Sequence, residues 1–241
     1  MTHSKVVCPA VWIAALFVWS LAAEQPLRPV RIVLVGDSTV NDAGGWGTGF
    51  RAWFGSGVEV VNLAKIGRSS KSFRSEGLWA PALTGKPDYI LIQFGHNDGP
   101  GKGPDRETDP KTTFRENMAR YAAEARAAGA QPVLVTSIVR RAFTDDGKIK
   151  RDGLVPYVEV VRELGAAERV PLIDLYALTL AQAEKLGSEG CAEIDARLPD
   201  GKRDQTHLGP RGRQEIGRMA AQEFVKLVPA MRSYIAEPAQ P

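Results

Sequence analysis

Cysteine and histidine are scarce in this 241-residue sequence, which holds two of the first and three of the second. Two thiols, Cys8 and Cys191, cannot build the disulfide framework of a small stapled scaffold. No C-x-x-C or paired Cys/His spacing exists either, so a zinc site has no support and no metal is expected. An excess of one charge is lacking as well: 31 Lys and Arg face 28 Asp and Glu, a formal net charge of +3. So small an excess, with no block of five like charges, gives no electrostatic case for a nucleic-acid partner. No internal repeat and no linker interrupts the chain, and no apolar run reaches the roughly 20 residues that cross a bilayer. What is present is ordinary globular composition, 44% hydrophobic and 24% charged with 24 Gly and 16 Pro. That argues against disorder, collagen-like repeats and coiled coil. A chain this long can bury a large core in one domain without staples.

Residues 1–23 read as a secretory signal peptide. Lys5 and the amino terminus supply the positive segment, Val11–Ala22 a short apolar one, and Ser20, Ala22 and Ala23 small residues that suit a peptidase. Cys8 precedes the apolar run rather than following it, which speaks against a lipoprotein cleavage site. The expectation is a secreted or periplasmic protein whose domain spans residues 24–241, with no membrane contact once the leader is removed. The alternative is an uncleaved N-terminal membrane anchor.

Beyond residue 28, apolar runs alternate with amphipathic patterns. The predicted strands are Val30–Val35, Val58–Asn62, Asp88–Phe94, Gln131–Ser137 and Arg169–Asp174. Most are continuous in Val, Ile and Leu, as strands covered on both faces are. Helices are predicted over Lys111–Ala128, Leu154–Leu164, Leu175–Leu186 and about Pro210–Val228. Strand–helix alternation of this kind implies an α/β fold, a parallel sheet with helices on both faces. Ligands in such sheets bind beyond the carboxyl ends of the strands. The segments Gly95–Pro110, Val139–Gly153 and Gly187–Gly209 read as long loops, a length that in a compact domain points to function or mobility.

The first strand runs into Gly36-Asp37-Ser38-Thr39-Val40. A serine there can present its hydroxyl above the sheet, but it needs a base to become a nucleophile. His3 goes with the leader, which leaves His96 and His207. His207 lies in Asp204-Gln-Thr-His207-Leu208, and an Asp three residues before a His can hold the Nδ1 proton and leave Nε2 free. Gly67, in the loop after the second strand, allows close backbone approach, and Asn97, after the third, carries a neutral amide donor. The N–H groups of Ser38 and Gly67 and the Asn97 amide could therefore meet at one developing oxyanion.

Gly36-Asp37-Ser38, Gly67, Gly95-His96-Asn97-Asp98 and Asp204-x-x-His207 resemble the four blocks of the SGNH, or GDSL-type, serine hydrolases. The likeness runs from about residue 31 to 225. The fuller motifs GDSTV, NLAKIGRSSKSF, QFGHND and the closing D-x-x-H-L resemble the rhamnogalacturonan acetylesterase branch. The resemblance implies a flavodoxin-like three-layer α/β/α sandwich with a five-stranded parallel sheet and no cofactor. It implies Ser38 as nucleophile, Asp204 and His207 as its triad partners, and Ser38, Gly67 and Asn97 as the oxyanion hole. The G-x-S-x-G elbow of α/β-hydrolases is missing, in agreement.

The substrate implied is an acetylated polysaccharide or oligosaccharide, acetylated rhamnogalacturonan or pectin first. Acetylxylan and lipid or aryl esters are the alternatives within the fold, and a non-catalytic carbohydrate-binding module is the alternative outside enzymes. Several neighbours have two readings. His96 either contacts substrate or fills a hydrogen-bonded structural place, and Trp46 either packs the first helix or offers a sugar platform. Arg68, with Lys71 and Arg74, either pairs with uronate carboxylates or lies on a solvated helix face. Asp37 and Asp98 read as turn residues, and Cys191 as a partnerless thiol in a long loop. Oligomeric state is not legible.

Overall fold

A computed structural model describes residues 1–2 and 28–236; the leader, apart from its first two residues, lies outside the described residues. Strand β1 (Val30–Gly36) reads VRIVLVG, and every residue but Arg31 is buried. Ile32 and Leu34 enter the core on one face of the sheet, Val33 and Val35 the core on the other. A strand apolar on both faces must be covered on both, and this one is. β2 (Val58–Asn62), β3 (Tyr89–Gln93), β4 (Gln131–Val135) and β5 (Leu172–Ile173) complete a five-stranded sheet in the order β2-β1-β3-β4-β5. All its pairings are parallel.

On one face, α1 (Gly47–Arg51) and α6 (Pro210–Leu227) cover the sheet with Phe50, Ile216, Ala220 and Phe224. These helices touch backbone to backbone: a Cβ on Gly49 would lie 2.2 Å from the Arg213 carbonyl oxygen, and one on Gly217 2.4 Å from the Phe50 nitrogen. On the other face lie α2 (Ser70–Ser75), α3 (Arg115–Ala127) and α4 (Val155–Ala167), which bury Phe73, Met118, Tyr121, Val161 and Leu164. Each such side chain contributes about 1.5–3 kcal/mol of burial. The result is the three-layer α/β/α sandwich that the sequence pattern predicts.

The strand order reverses at β1, whose neighbours are β2 on one side and β3 on the other. Such a switch point opens a crevice at the carboxyl ends of the strands. Gly36 pairs with Gln93 at that end, so the segments entering Ser38 and Asn97 leave the sheet side by side.

β3 and β4 are one or two residues shorter than expected at their ends, and three larger differences follow. β5 keeps two residues of Arg169–Asp174. α5 (Leu175–Cys191) runs past Leu186 through a break at Gly187, so Cys191 sits buried at a helix end rather than in a loop. Most consequentially, Gly187–Gly209 is not a loop: it contains an antiparallel hairpin of β6 (Asp195–Arg197) and β7 (Arg203–Leu208). β7 reads RDQTHL, without alternation of apolar and polar residues, so periodicity could not reveal it.

Candidate active site

Ser38 sits in the turn that ends β1. The Asp37 carboxylate is fully buried, and its Oδ1 accepts from the Thr39 N–H at 2.8 Å and the Thr39 hydroxyl at 2.7 Å. Gln93 Nε2 donates to that same hydroxyl at 2.7 Å, and Trp46 Nε1 donates to Gln93 Oε1 at 2.9 Å. A chain of neutral donors thus fixes the serine turn from beneath. Burial raises the Asp37 carboxyl above the ordinary carboxylate range, and the Thr39 bonds oppose it.

His207 arrives from β7. Its Nε2 lies 2.8 Å from Ser38 Oγ and its Nδ1 2.6 Å from Asp204 Oδ2. Asp204 Oδ1 accepts from the Thr206 and His207 backbone N–H groups at 3.0 and 3.1 Å. With both oxygens engaged, the carboxylate selects the tautomer with its proton on Nδ1, and Nε2 accepts the serine hydroxyl proton. Burial pushes the Asp204 carboxyl up, but the hydrogen bonds from the His207 ring and the two backbone groups outweigh it and leave it below the ordinary value.

The remaining donors stand at the ends of β2 and β3. Gly67 has φ +77°, a conformation that only glycine adopts without strain. The N–H groups of Gly67 and Ser38 have no acceptor among the described residues. Asn97 Nδ2 gives one hydrogen to the Arg68 carbonyl at 3.1 Å, which orients the amide and leaves its second hydrogen unengaged. Ser38 and Asn97 are almost closed to solvent, at 7% and 9% exposure.

Residues 34–215 match the GDSL-like lipase/acylhydrolase family. This chain belongs to that family. It is 37% identical over 218 residues to the rhamnogalacturonan acetylesterase RhgT of Bacillus subtilis, covering 83% of this chain and 91% of that one. It is 33% identical over 216 residues to YesY, a probable rhamnogalacturonan acetylesterase of the same organism, covering 86% and 98%. Among solved structures, the Bacillus subtilis protein YXIM superposes with a TM-score of 0.69 at 27% identity over 84% of this chain; the match spans 58% of that protein's chain.

Other polar residues of this GDSL-like hydrolase have settled positions. Trp46 is wholly buried and bonded to Gln93, so it packs the core and cannot serve as the sugar platform. His96 is 4% exposed, with Nε2 bonded to the Ile138 carbonyl at 3.1 Å. Burial, then the charges of Arg140, His207 and Arg141, hold its pKa well below the ordinary imidazole value, so its ring is neutral and structural. Arg68 pairs with Glu76 at 2.8 Å, Arg74 with Glu124 at 2.8 Å, and Lys71 donates to the Pro104 carbonyl at 2.7 Å. That basic run braces the protein itself.

Asp98 is more than a turn residue. Its side chain accepts from the Ser70 N–H and from the Ser70 hydroxyl at 2.6 Å, and its backbone carbonyl accepts from Tyr157, so it joins α2 to the Asn97 loop. The sequence reading passed over Arg141 entirely. This fully buried guanidinium pairs with buried Asp195, which also holds Arg203 at 2.7 Å. Arg141 Nη2 then donates to the His207 carbonyl at 2.8 Å, and its backbone N–H to the Gln205 carbonyl at 2.8 Å. Nothing in the sequence marks it, because an arginine in a loop is most often solvated.

Proposed function

We propose that this chain is a serine esterase that removes O-acetyl groups from a plant cell-wall polysaccharide, most of all acetylated rhamnogalacturonan. The observation that carries the reading is the continuous line Asp204–His207–Ser38, with contacts of 2.6 and 2.8 Å. Ser38 Oγ attacks the acetyl carbonyl carbon as His207 Nε2 takes its proton. The tetrahedral oxyanion rests on the N–H groups of Ser38 and Gly67 and on Asn97 Nδ2. His207 then returns the proton to the sugar oxygen as the C–O bond breaks, and the acetyl group stays on Ser38. Water, deprotonated by the same ring, repeats the attack and releases acetate. Asp204 stabilises the imidazolium in both halves. Every catalytic group belongs to this chain, and the identity to two rhamnogalacturonan acetylesterases supports the substrate.

The reading includes export: residues 1–23 have the pattern of a cleaved leader, and a polysaccharide of the plant wall is met outside the cell. Residues 24–241 then form the catalytic domain.

The test is acetate release from acetylated rhamnogalacturonan, acetylated xylan and a long-chain aryl ester, by the protein and its Ser38→Ala variant. Release from rhamnogalacturonan should dominate and fall by at least about 10⁴-fold in the variant, with unfolding unchanged. Activity that survives in the variant rejects Ser38. Turnover of the long-chain ester alone moves the substrate to lipids.

A further inference from the structure

The loop after β3 carries cations that face no carboxylate. Lys102 and Arg106 lie within Gly95–Pro110, and neither forms an ion pair among the described residues. Arg106 donates to the Lys102 carbonyl at 2.7 Å and to the Gly67 carbonyl at 3.4 Å. It thereby fastens the Lys102 turn to the loop that presents Gly67. Next to this turn is a cavity of about 210 Å³, walled by Gly95, His96, Lys102, Arg140 and Leu154. Gly95 and His96 immediately precede Asn97, so the cavity lies against the loop that carries the Asn97 amide. At Pro100 and Gly153 it meets a larger groove of about 570 Å³ between the same loop and the start of α4.

The acidic groups around this space are largely engaged. Asp152 accepts from Arg140 Nη1 at 2.6 Å, and Glu107 accepts from the Gly103 N–H at 2.8 Å. Asp98 is buried under its Ser70 and Thr108 bonds, and Asp109 caps the helical turn at Pro110. Asp105 is exposed. Lys102 is partly buried at the wall of the cavity and forms no ion pair among the described residues. A cation at the wall of a cleft attracts an anion more strongly than one on an open, fully solvated surface.

We propose that Lys102, at the wall of this cavity, is a carboxylate subsite that receives a uronate group of the acetylated chain, while Arg140 stays paired with Asp152. This rests on the rhamnogalacturonan reading, because each galacturonate unit of that polymer carries one carboxylate and a xylan backbone carries none. It also moves anion recognition from Arg68, Lys71 and Arg74, which are engaged by protein partners, to Lys102, which forms no ion pair among the described residues. A bound carboxylate would fix the register of the chain and so choose which acetyl group reaches Ser38. Neutral substrates gain nothing from the subsite, so it acts as a specificity device.

The experiment compares kcat/KM on acetylated rhamnogalacturonan oligosaccharides, acetylated xylo-oligosaccharides and 4-nitrophenyl acetate for the protein, Lys102→Gln and Lys102→Arg. Lys102→Gln should lower the ratio of uronate-containing to neutral substrate by about five- to tenfold, mainly through KM. Lys102→Arg should keep most of the ratio, and added salt should shrink the difference between the protein and Lys102→Gln. An equal fall on all three substrates, an unchanged ratio, or Arg and Gln variants that behave alike would overturn the subsite alone. A protein that turns over 4-nitrophenyl acetate but releases nothing from rhamnogalacturonan overturns the substrate reading, and the subsite with it.

Discussion

Ser38 and His207 meet at 2.8 Å, yet the two halves of the site are held by different physics. The serine half stands on the main sheet: Gly36 is locked to Gln93 in a parallel ladder, and Thr39, Gln93 and Trp46 complete the support with neutral hydrogen bonds. The histidine half stands on the β6–β7 hairpin, outside that sheet. Charge fastens it, through Arg141 between Asp195 and the His207 carbonyl. Gly44 accepts from the Leu208 N–H at 2.8 Å and packs against the imidazole. Ser38 is therefore placed by the fold's core, whereas His207 is placed by a clamp. A buried ion pair adds little net stability over an apolar pair of the same shape, but removal of one member strands the other charge. The histidine half is the part that a single substitution can loosen.

Apart from loss of Ser38 itself, the largest effect expected tests the serine side. Asn97→Ala should lower kcat by about 10²–10³-fold with little change in KM, because its unengaged N–H matters in the transition state. Stability should fall by about 1 kcal/mol or less, since one hydrogen bond to the Arg68 carbonyl is lost. Kinetics and denaturant unfolding read both; a pure KM effect would remove Asn97 from the oxyanion hole. The clamp should respond in the opposite sense. Arg141→Met should destabilise the protein by about 3 kcal/mol, as Asp195 keeps only Arg203, and kcat should fall with it. An unchanged unfolding midpoint would show that the hairpin holds without the buried charge, and the contrast between the halves would be gone.

The smallest effect concerns pH. Burial pushes the Asp98 carboxyl up to about 7, against the bonds from Ser70. An unfolded Asp ionises near pH ~4, so between about pH 4 and 7 the unfolded chain loses a proton that the folded chain keeps. This group therefore makes stability decline as pH rises through that window. Asp98→Asn lacks the titration, so its Tm relative to the parent should climb steadily from about pH 4 to pH 7. A constant difference would mean that the buried carboxylate is already compensated.

Much of the serine half was legible because its determinants are local. VRIVLVG can only be a strand covered on both faces, and GDS follows it without a gap. Asp204-x-x-His207 is likewise a three-residue relation, realised as one carboxylate that reaches both the ring and the backbone of its own turn. The hairpin that carries this pair was not legible. It has no apolar alternation, and its stability comes from Arg141, more than fifty residues upstream of Asp195. The burial of Trp46 and the pairing of Arg68 with Glu76 were hidden for a related reason. A sequence shows that a side chain is aromatic or basic, but not that Gln93 or Glu76 already holds it.

By itself, then, the sequence determined what short-range physics can determine. Those features are the strand–helix alternation, the serine and amide residues at the strand ends, and the Asp–His spacing. Only the tertiary structure decided that His207 reaches Ser38 across 169 residues, that Arg141 is buried to hold it there, and that Lys102 forms no ion pair among the described residues. The reason is physical: burial and pairing of charge depend on which distant groups the folded sheet brings together, and no local pattern encodes that choice.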